Sequence, residues 1–194
     1  MECPICDSNN ATESLIDYRM TELGTDSVLL RNTPEITCPD CGEVSITIPS
    51  YNAVLKQIRE QFCALNRVLN SGEFLTLRLA LNKSGLECAD ILGVSNVTVS
   101  RWENGASPIL PIADRFVRAL TLSGLGYSQN AITSRLANLE GNGIPEVIIN
   151  LNDFAGMVYK YETCQKFDSN GSGNGESFIA MFVNQNMDQA KDVV

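Results

Sequence analysis

Four of the seven cysteines in this 194-residue chain fall into two pairs of identical spacing, Cys3-Pro4-Ile5-Cys6 and Cys38-Pro39-Asp40-Cys41, the second followed by Gly42. A two-residue spacing lets both thiolates of a knuckle reach one ion. Proline sets the turn, and a glycine with positive φ frees backbone N–H groups to point at sulfur. Two such knuckles supply the tetrahedral all-thiolate coordination usual for structural zinc. One structural Zn2+ held by Cys3, Cys6, Cys38 and Cys41 is therefore expected, with no coordination position left open for catalysis. The other readings are a redox dithiol, an iron site or four unrelated cysteines. A thioredoxin-like dithiol needs a β-α-β context that the sequence lacks. Cys63, Cys88 and Cys164 stand singly and read as core residues.

A second group of side chains suits contact with a nucleic acid. Residues 73–81 form a strongly apolar helix pattern, ended by Asn82 in the left-handed conformation. Ser84, with Glu87 three residues on, is a capping box that opens a helix over residues 85–92. Gly93-Val94 makes a tight turn. Ser95 caps a third helix over residues 96–104, and Gly105 stops it. Helix, short turn and capped helix form the helix-turn-helix pattern. In the third helix Val94, Val99 and Trp102 face inward, with Thr98 half-buried beside them. Asn96, Val97, Ser100 and Arg101 face outward, a small and polar set fitted to the DNA major groove. Arg101 suits guanine O6 and N7 or a phosphate, Asn96 suits adenine, and Val97 suits a thymine methyl group. Ser84 and Ser95 mark helix N-termini, which favour phosphate. Taken singly, each of these residues is equally an ordinary surface residue.

Arg78-x-x-Leu81, Ser84-x-x-Glu87, residues 91–95 (Ile-Leu-Gly-Val-Ser) and residues 98–105 (Thr-Val-Ser-Arg-Trp-Glu-Asn-Gly) resemble the Xre (Cro/CI) family of helix-turn-helix domains. With the Cys-Pro-x-Cys pairs in front, the order over about residues 1–125 resembles the MqsA/YgiT family of zinc-finger antitoxin-regulators. The resemblance implies an N-terminal zinc module that grips a toxin and a C-terminal domain that dimerises and represses its own operon. It implies that Cys3, Cys6, Cys38 and Cys41 are the ligands and that Arg101 contacts base or phosphate. It also implies that Arg78 pairs with Glu103, which makes both structural, beside Trp102 in the core. Two departures stand out. Gly85 sits where relatives place a DNA-contacting glutamine, and Val97 where they carry asparagine, so a different operator is expected.

The elements that position these groups are partly legible. Residues 27–30 are a strand candidate, residues 36–37 lead into the second knuckle, and residues 44–48 alternate apolar and polar, a pattern that reads as a zinc ribbon. From residue 50 to 69, Tyr51, Val54, Leu55, Ile58, Phe62, Leu65 and Leu69 share one helical face, with Ser50 as its cap. Residues 108–122 and 128–139 predict two more helices, which would complete a five-helix domain and supply a two-fold interface. Signals weaken beyond residue 141: residues 146–151 could form a strand, residues 169–175 read as a flexible loop, and residues 177–183 either pair with the earlier strand in a small hairpin or belong to a weakly structured tail. The expected class is α+β: a zinc-ribbon module over 1–49, a connecting helix over 50–70, an Xre-type helix-turn-helix domain over 71–140 and a C-terminal extension over 141–194.

Charge and composition narrow the function. The net charge of −9 is unevenly spread. Residues 1–49 carry two arginines against nine carboxylates, whereas residues 71–126 balance five cations with five anions. Only the middle of the chain approaches a phosphate backbone without net repulsion, while the acidic front suits a basic protein partner. With no histidine, neither a Ser/His nor a Cys/His nucleophile pair exists, and no glycine-rich phosphate loop follows a strand. An enzyme is not expected. The first residues do not read as a leader and no run of about 18 apolar residues occurs, so a cytoplasmic protein without a membrane span is expected. The sequence thus predicts a homodimeric repressor of double-stranded DNA with an inverted-repeat operator, and an antitoxin. Its competitors are a regulator of a mobile element or phage without a toxin, and a zinc-ribbon adaptor for protein interactions.

Overall fold

The computed structural model describes residues 1–139, 144–154, 160–163 and 180–183. Its class is mixed α+β, with six α-helices and a small sheet among the described residues. The chain divides into two compact units, each built from separated segments: 1–18, 30–55 and 149–194 in one, 19–29 and 56–148 in the other.

The first unit carries most of the sheet. Strands β1 (Thr12–Arg19), β2 (Val28–Thr37) and β3 (Val44–Ile48) follow one another, with β2 and β3 antiparallel in the register Ile36 opposite Ser45. The sheet continues through β6 (Ala180–Val183), parallel to β3, to β5 (Lys160–Thr163), antiparallel to β6. The strand expected over 177–183 thus pairs with β3 and β5 rather than with the strand over 146–151. The loop expected over 169–175 and Cys164 lie outside the described residues. Strand β1 has no counterpart in the sequence reading, because most of its side chains are exposed and its pattern lacks an apolar face.

Strand β4 (Val147–Asn150) leads into a 3-10 turn, Leu151–Phe154. Within the first unit Asn32 donates to the Asn150 side chain at 2.9 Å. Helix α1 (Tyr51–Phe62) buries Val54, Ile58 and Phe62, as its periodicity requires. Ser50, expected as its cap, instead takes a φ of 49°, left-handed rather than the extended conformation of a cap residue. Its carbonyl accepts the Ala53 and Val54 N–H groups.

The second unit holds α2 (Ser71–Ala80), α3 (Gly85–Leu92), α4 (Asn96–Glu103), α5 (Pro111–Gly124) and α6 (Gln129–Ala137). Its core gathers Phe74 and Leu77 of α2, Val99 and Trp102 of α4, and Val117 and Leu122 of α5, all buried. Phe74 meets Trp102 edge to face at 5.7 Å. Cys63 and Cys88 are buried, as expected of core residues. Helix α1 stops at Phe62, short of residue 69, because the chain after it is captured elsewhere. Arg118, 0% exposed, donates to the carbonyls of Cys63, Leu65 and Arg67, and its Nε reaches Asp114 at 3.1 Å. Asp114 in turn accepts the Leu69 N–H at 2.9 Å. A buried guanidinium here satisfies carbonyls that a longer helix would have bonded internally.

Helix α2 starts two residues earlier than its apolar run suggests, because Asn70 and Glu73 form a capping box. Glu73 is 0% exposed. Its carboxylate accepts Arg67 at 2.7 and 2.8 Å, the Asn70 N–H at 2.8 Å, and the Ser27 hydroxyl. Burial alone would raise its pKa, but these donors outweigh burial and hold it below the usual carboxylate value. A lowered folded-state pKa means stability that is present above the unfolded pKa and lost as pH falls through the folded one. Glu73→Gln is therefore expected to destabilise the protein by roughly 2–4 kcal/mol near neutral pH. Below the carboxylate range the loss should shrink, as read by denaturant unfolding followed on Trp102, the chain's single tryptophan.

Candidate functional site

Two groups of side chains predicted from sequence come together, one in each unit. In the first unit the sulfurs of Cys3, Cys6, Cys38 and Cys41 lie within 4.8 Å of one another. Cys3 and Cys41 are 3.8 Å apart, and Cys6 and Cys38 3.7 Å. A tetrahedral ion with metal–sulfur bonds of about 2.3 Å requires sulfur–sulfur edges of about 3.8 Å. Two of the six edges thus have the length a tetrahedral metal would impose, and the four thiols are close enough to share one ion.

The two knuckles share one backbone design. Cys3 accepts the Asp7 N–H at 3.0 Å through its carbonyl, and Cys38 accepts the Gly42 N–H at 2.9 Å in the same way. The reverse bonds run from the Cys3 N–H to Ser8 and from the Cys38 N–H to Glu43. Gly42 has a φ of 74° and Asp7 a φ of 59°. Asp7 therefore does for the first knuckle what Gly42 does for the second, aspartate being among the few residues that tolerate this region. The signal was in the sequence, since Asp7 and Gly42 each directly follow the second cysteine of their pair.

A polar clamp that sequence reading missed ties the knuckles together. Asp40 accepts the Ser8 hydroxyl and the Asn10 amide, the latter at 2.8 Å, and these two donors hold its carboxyl below the usual range. Nothing in the spacing of Ser8, Asn10 and Asp40 predicts that they meet, because the pairing depends on the knuckles folding together.

The sulfurs themselves are unequal. Backbone N–H groups of Cys41 and then Asp40 bring the Cys38 thiol down to about 7. At Cys6 the Ser8 backbone favours the thiolate, but desolvation and the neighbouring sulfurs of Cys41, Cys3 and Cys38 push it up to about 12. Four thiolates this close repel one another, and a bound cation is what would make all four anionic together. Cys3 and Cys38 are buried, with Ala11 and Ile36 packed at their side. The cysteines thus make up most of the buried cluster at the knuckles.

In the second unit α3 ends at Gly93 with a φ of 65°, and the Val94 N–H returns to the Ala89 carbonyl at 3.0 Å. Ser95 then caps α4 through the Thr98 N–H. On α4, Val99 and Trp102 are buried and Thr98 is half-buried. Asn96, Val97, Ser100 and Arg101 are exposed, which groups the four on one open face. Arg78 donates to both oxygens of Glu103 and to the Lys83 carbonyl, pinning the end of the α2–α3 loop to the end of α4.

The two predicted helix caps differ. At α3 the Glu87 carboxylate accepts both the N–H and the hydroxyl of Ser84 at 2.8 Å, so an anion already sits at that N-terminus. The first turn of α4 holds no acidic residue, and the Ser95 hydroxyl is shared only with Thr98. Helix α4 is thus the better of the two N-termini for a phosphate. Gly85 has a neighbour worth naming: a Cβ there would lie 3.2 Å from Asn96 Oδ1, so the Asn96 side chain leans over the bare first turn of α3.

No family model, no curated protein and no solved structure matches the chain. No helix among the described residues is long and apolar enough to cross a membrane.

Titration of the reduced protein with Co2+ is expected to saturate at one ion per chain with the thiolate charge-transfer absorption of a tetrahedral site. Cys6→Ser or Cys38→Ser should abolish that band, whereas Cys63→Ser and Cys88→Ser should leave its stoichiometry intact. Because binding deprotonates the thiols, affinity should fall as the solution is made more acidic.

Proposed function

We propose that this chain is a sequence-specific DNA-binding transcriptional repressor that acts as a homodimer in the cytoplasm, and that it is the antitoxin of a toxin–antitoxin pair whose operon it represses. The observation that carries the reading is the exposed face of α4, where Asn96, Val97, Ser100 and Arg101 stand together beyond a capped tight turn. In this reading α2 to α6 are the five helices of an Xre-type domain, with α4 as the recognition helix. The knuckles with β1 to β3 are a zinc ribbon holding one structural Zn2+. All-thiolate coordination with no position for water favours structural zinc over a catalytic metal.

The chemistry of the face supports base reading. Arg101 bonds guanine or a phosphate, Asn96 bonds adenine, and Val97, 59% exposed, packs on a thymine methyl group. Ser95 offers the α4 N-terminus to a phosphate, and Ser84 does so less well because Glu87 is already there. Arg78, Glu103 and Trp102 hold α4 in place from behind. A second copy of the chain is the partner that a two-fold operator requires. An apolar patch at the start of α5 suits that role: Leu110, Ile112 and Phe116 are exposed and line one groove with Ile91, with Ile112 74% open to water. The acidic front module is the part with the charge to meet a basic toxin.

Selection from random duplexes should return an inverted repeat with half-sites about one helical turn apart. Arg101→Ala should weaken binding to it by roughly 10–100-fold. An unchanged affinity would favour the adaptor reading instead. Ile112→Glu should shift the protein toward monomer in sedimentation and lower operator affinity. Co-purification with the neighbouring gene product tests the antitoxin. If that product neither binds nor harms cells when expressed alone, the chain is a regulator without a toxin.

A further inference from the structure

We infer that the metal state of the four-cysteine cluster sets the stability of the helical unit, and that residues 19–29 carry the effect. The inference rests on the metal-site reading above but not on the DNA or toxin readings.

Chain connectivity supplies the first half of the argument. Cys6 and Cys38 bracket 31 residues. An ion bound to both knuckles closes that stretch into a loop. The middle of the loop does not stay with the cysteines: residues 19–29 belong to the second unit, while residues 1–18 and 30–55 belong to the first. The polypeptide therefore leaves the metal module, enters the helical unit and returns before reaching the second knuckle.

Contacts inside the helical unit supply the other half. Thr25 Oγ1 accepts the side-chain amide of Asn70, the cap residue of α2, at 2.8 Å. The Ser27 hydroxyl donates to Glu73, the other member of that capping box. The Leu23 carbonyl accepts the Thr76 hydroxyl at 3.4 Å. The Gly24 backbone lies so close to α2 that a Cβ on Gly72 would stand 2.1 Å from the Gly24 carbonyl oxygen. Met20, Thr25, Ser27 and Val28 are all buried. Residues 19–29 thus complete the N-terminus of α2, and α2 presents Phe74 to Trp102 of α4.

Holding the two ends of a segment lowers the entropy cost of docking its middle. With the metal in place, residues 19–29 dock as part of a closed loop. Without it the Cys6–Cys38 cross-link is missing, they dock as part of a chain less restricted on its N-terminal side, and the α2 capping box loses partners whenever they undock. Gly72 fits this account, since any side chain there would push the segment off.

The test compares the full chain with and without one equivalent of Zn2+, under reducing conditions, by thermal unfolding followed on Trp102. Metal removal should lower the Trp102 transition by roughly 5–10 °C. Ser27→Ala, which leaves every cysteine in place, should bind Co2+ normally but show a smaller metal-dependent shift. Should that variant fail to fold, amide hydrogen exchange of the wild-type protein takes its place, and the Glu73 and Phe74 N–H groups should lose protection on metal removal. A Trp102 transition and α2 amides indifferent to metal, in protein shown by Co2+ absorption to bind it, would overturn the coupling and leave the metal site standing. A chain that binds neither ion would overturn both.

Discussion

A carboxylate with no exposure to water stays charged only where donors replace its hydration, and Glu73 has them on every side. Arg67 grips both oxygens, the Asn70 N–H closes a capping box, and Ser27 arrives from a segment that lies before β2 in the chain. Each donor comes from a different piece of backbone, so one buried charge fixes where the α1–α2 loop, the start of α2 and residues 19–29 must meet. Helix α2 is placed by this constraint, and through Phe74 and Trp102 it places α4. Arg118 and Asp114 repeat the pattern behind it with the charges reversed, a buried guanidinium collecting the carbonyls of the same loop. The helical unit is therefore organised by two buried polar nodes as well as by its apolar core, and such nodes tolerate little variation in geometry.

The front module solves a different problem with different chemistry. Around the knuckles themselves the buried apolar cluster is little more than Ala11 and two of the cysteines, while Leu30, Ile48 and Ile149 are buried elsewhere in the same unit. At the knuckles the four gathered sulfurs, the matching backbone of the two turns and the Asp40 clamp do the work that apolar packing does elsewhere. Asp7 and Gly42 accept the left-handed conformation that lets both knuckles close alike.

What the sequence disclosed follows from how local each signal is. The cysteine pairs, the Ser84–Glu87 box, the Ser95 cap and the turn at Gly93 are complete within a few residues, and each stands in the structure where its pattern placed it. The inward and outward faces of α4 were legible for the same reason. Long-range features were not. Glu73 looks like an ordinary first-turn acid until Ser27 and Arg67 are seen around it, and Arg118 like a surface arginine on an amphipathic helix. Strand β1 is invisible because its pairing with β2, not its own alternation, makes it a strand. The route of residues 19–29 into the helical unit is hidden too, because their partners Asn70, Glu73 and Gly72 lie more than 40 positions away.

The α4 face also bears on how the proposed DNA contact would divide its work. Arg101 is its one cation, and the neighbouring Lys83 is within 3.7 Å of Glu87. A face with so little positive charge gains less from counterion release than most DNA binders do. Its affinity would then depend more on base-edge contacts and on the two-fold pairing of recognition helices. Asn96 is pre-positioned for such work, since the absent side chain of Gly85 leaves room for it to lean toward α3. In a domain where a larger residue opens α3, that residue would occupy the space and take its own share of the operator. Here the readout would be concentrated on α4. Discrimination between sequences would be retained while nonspecific attraction is weak, a balance consistent with a chain whose net charge is −9.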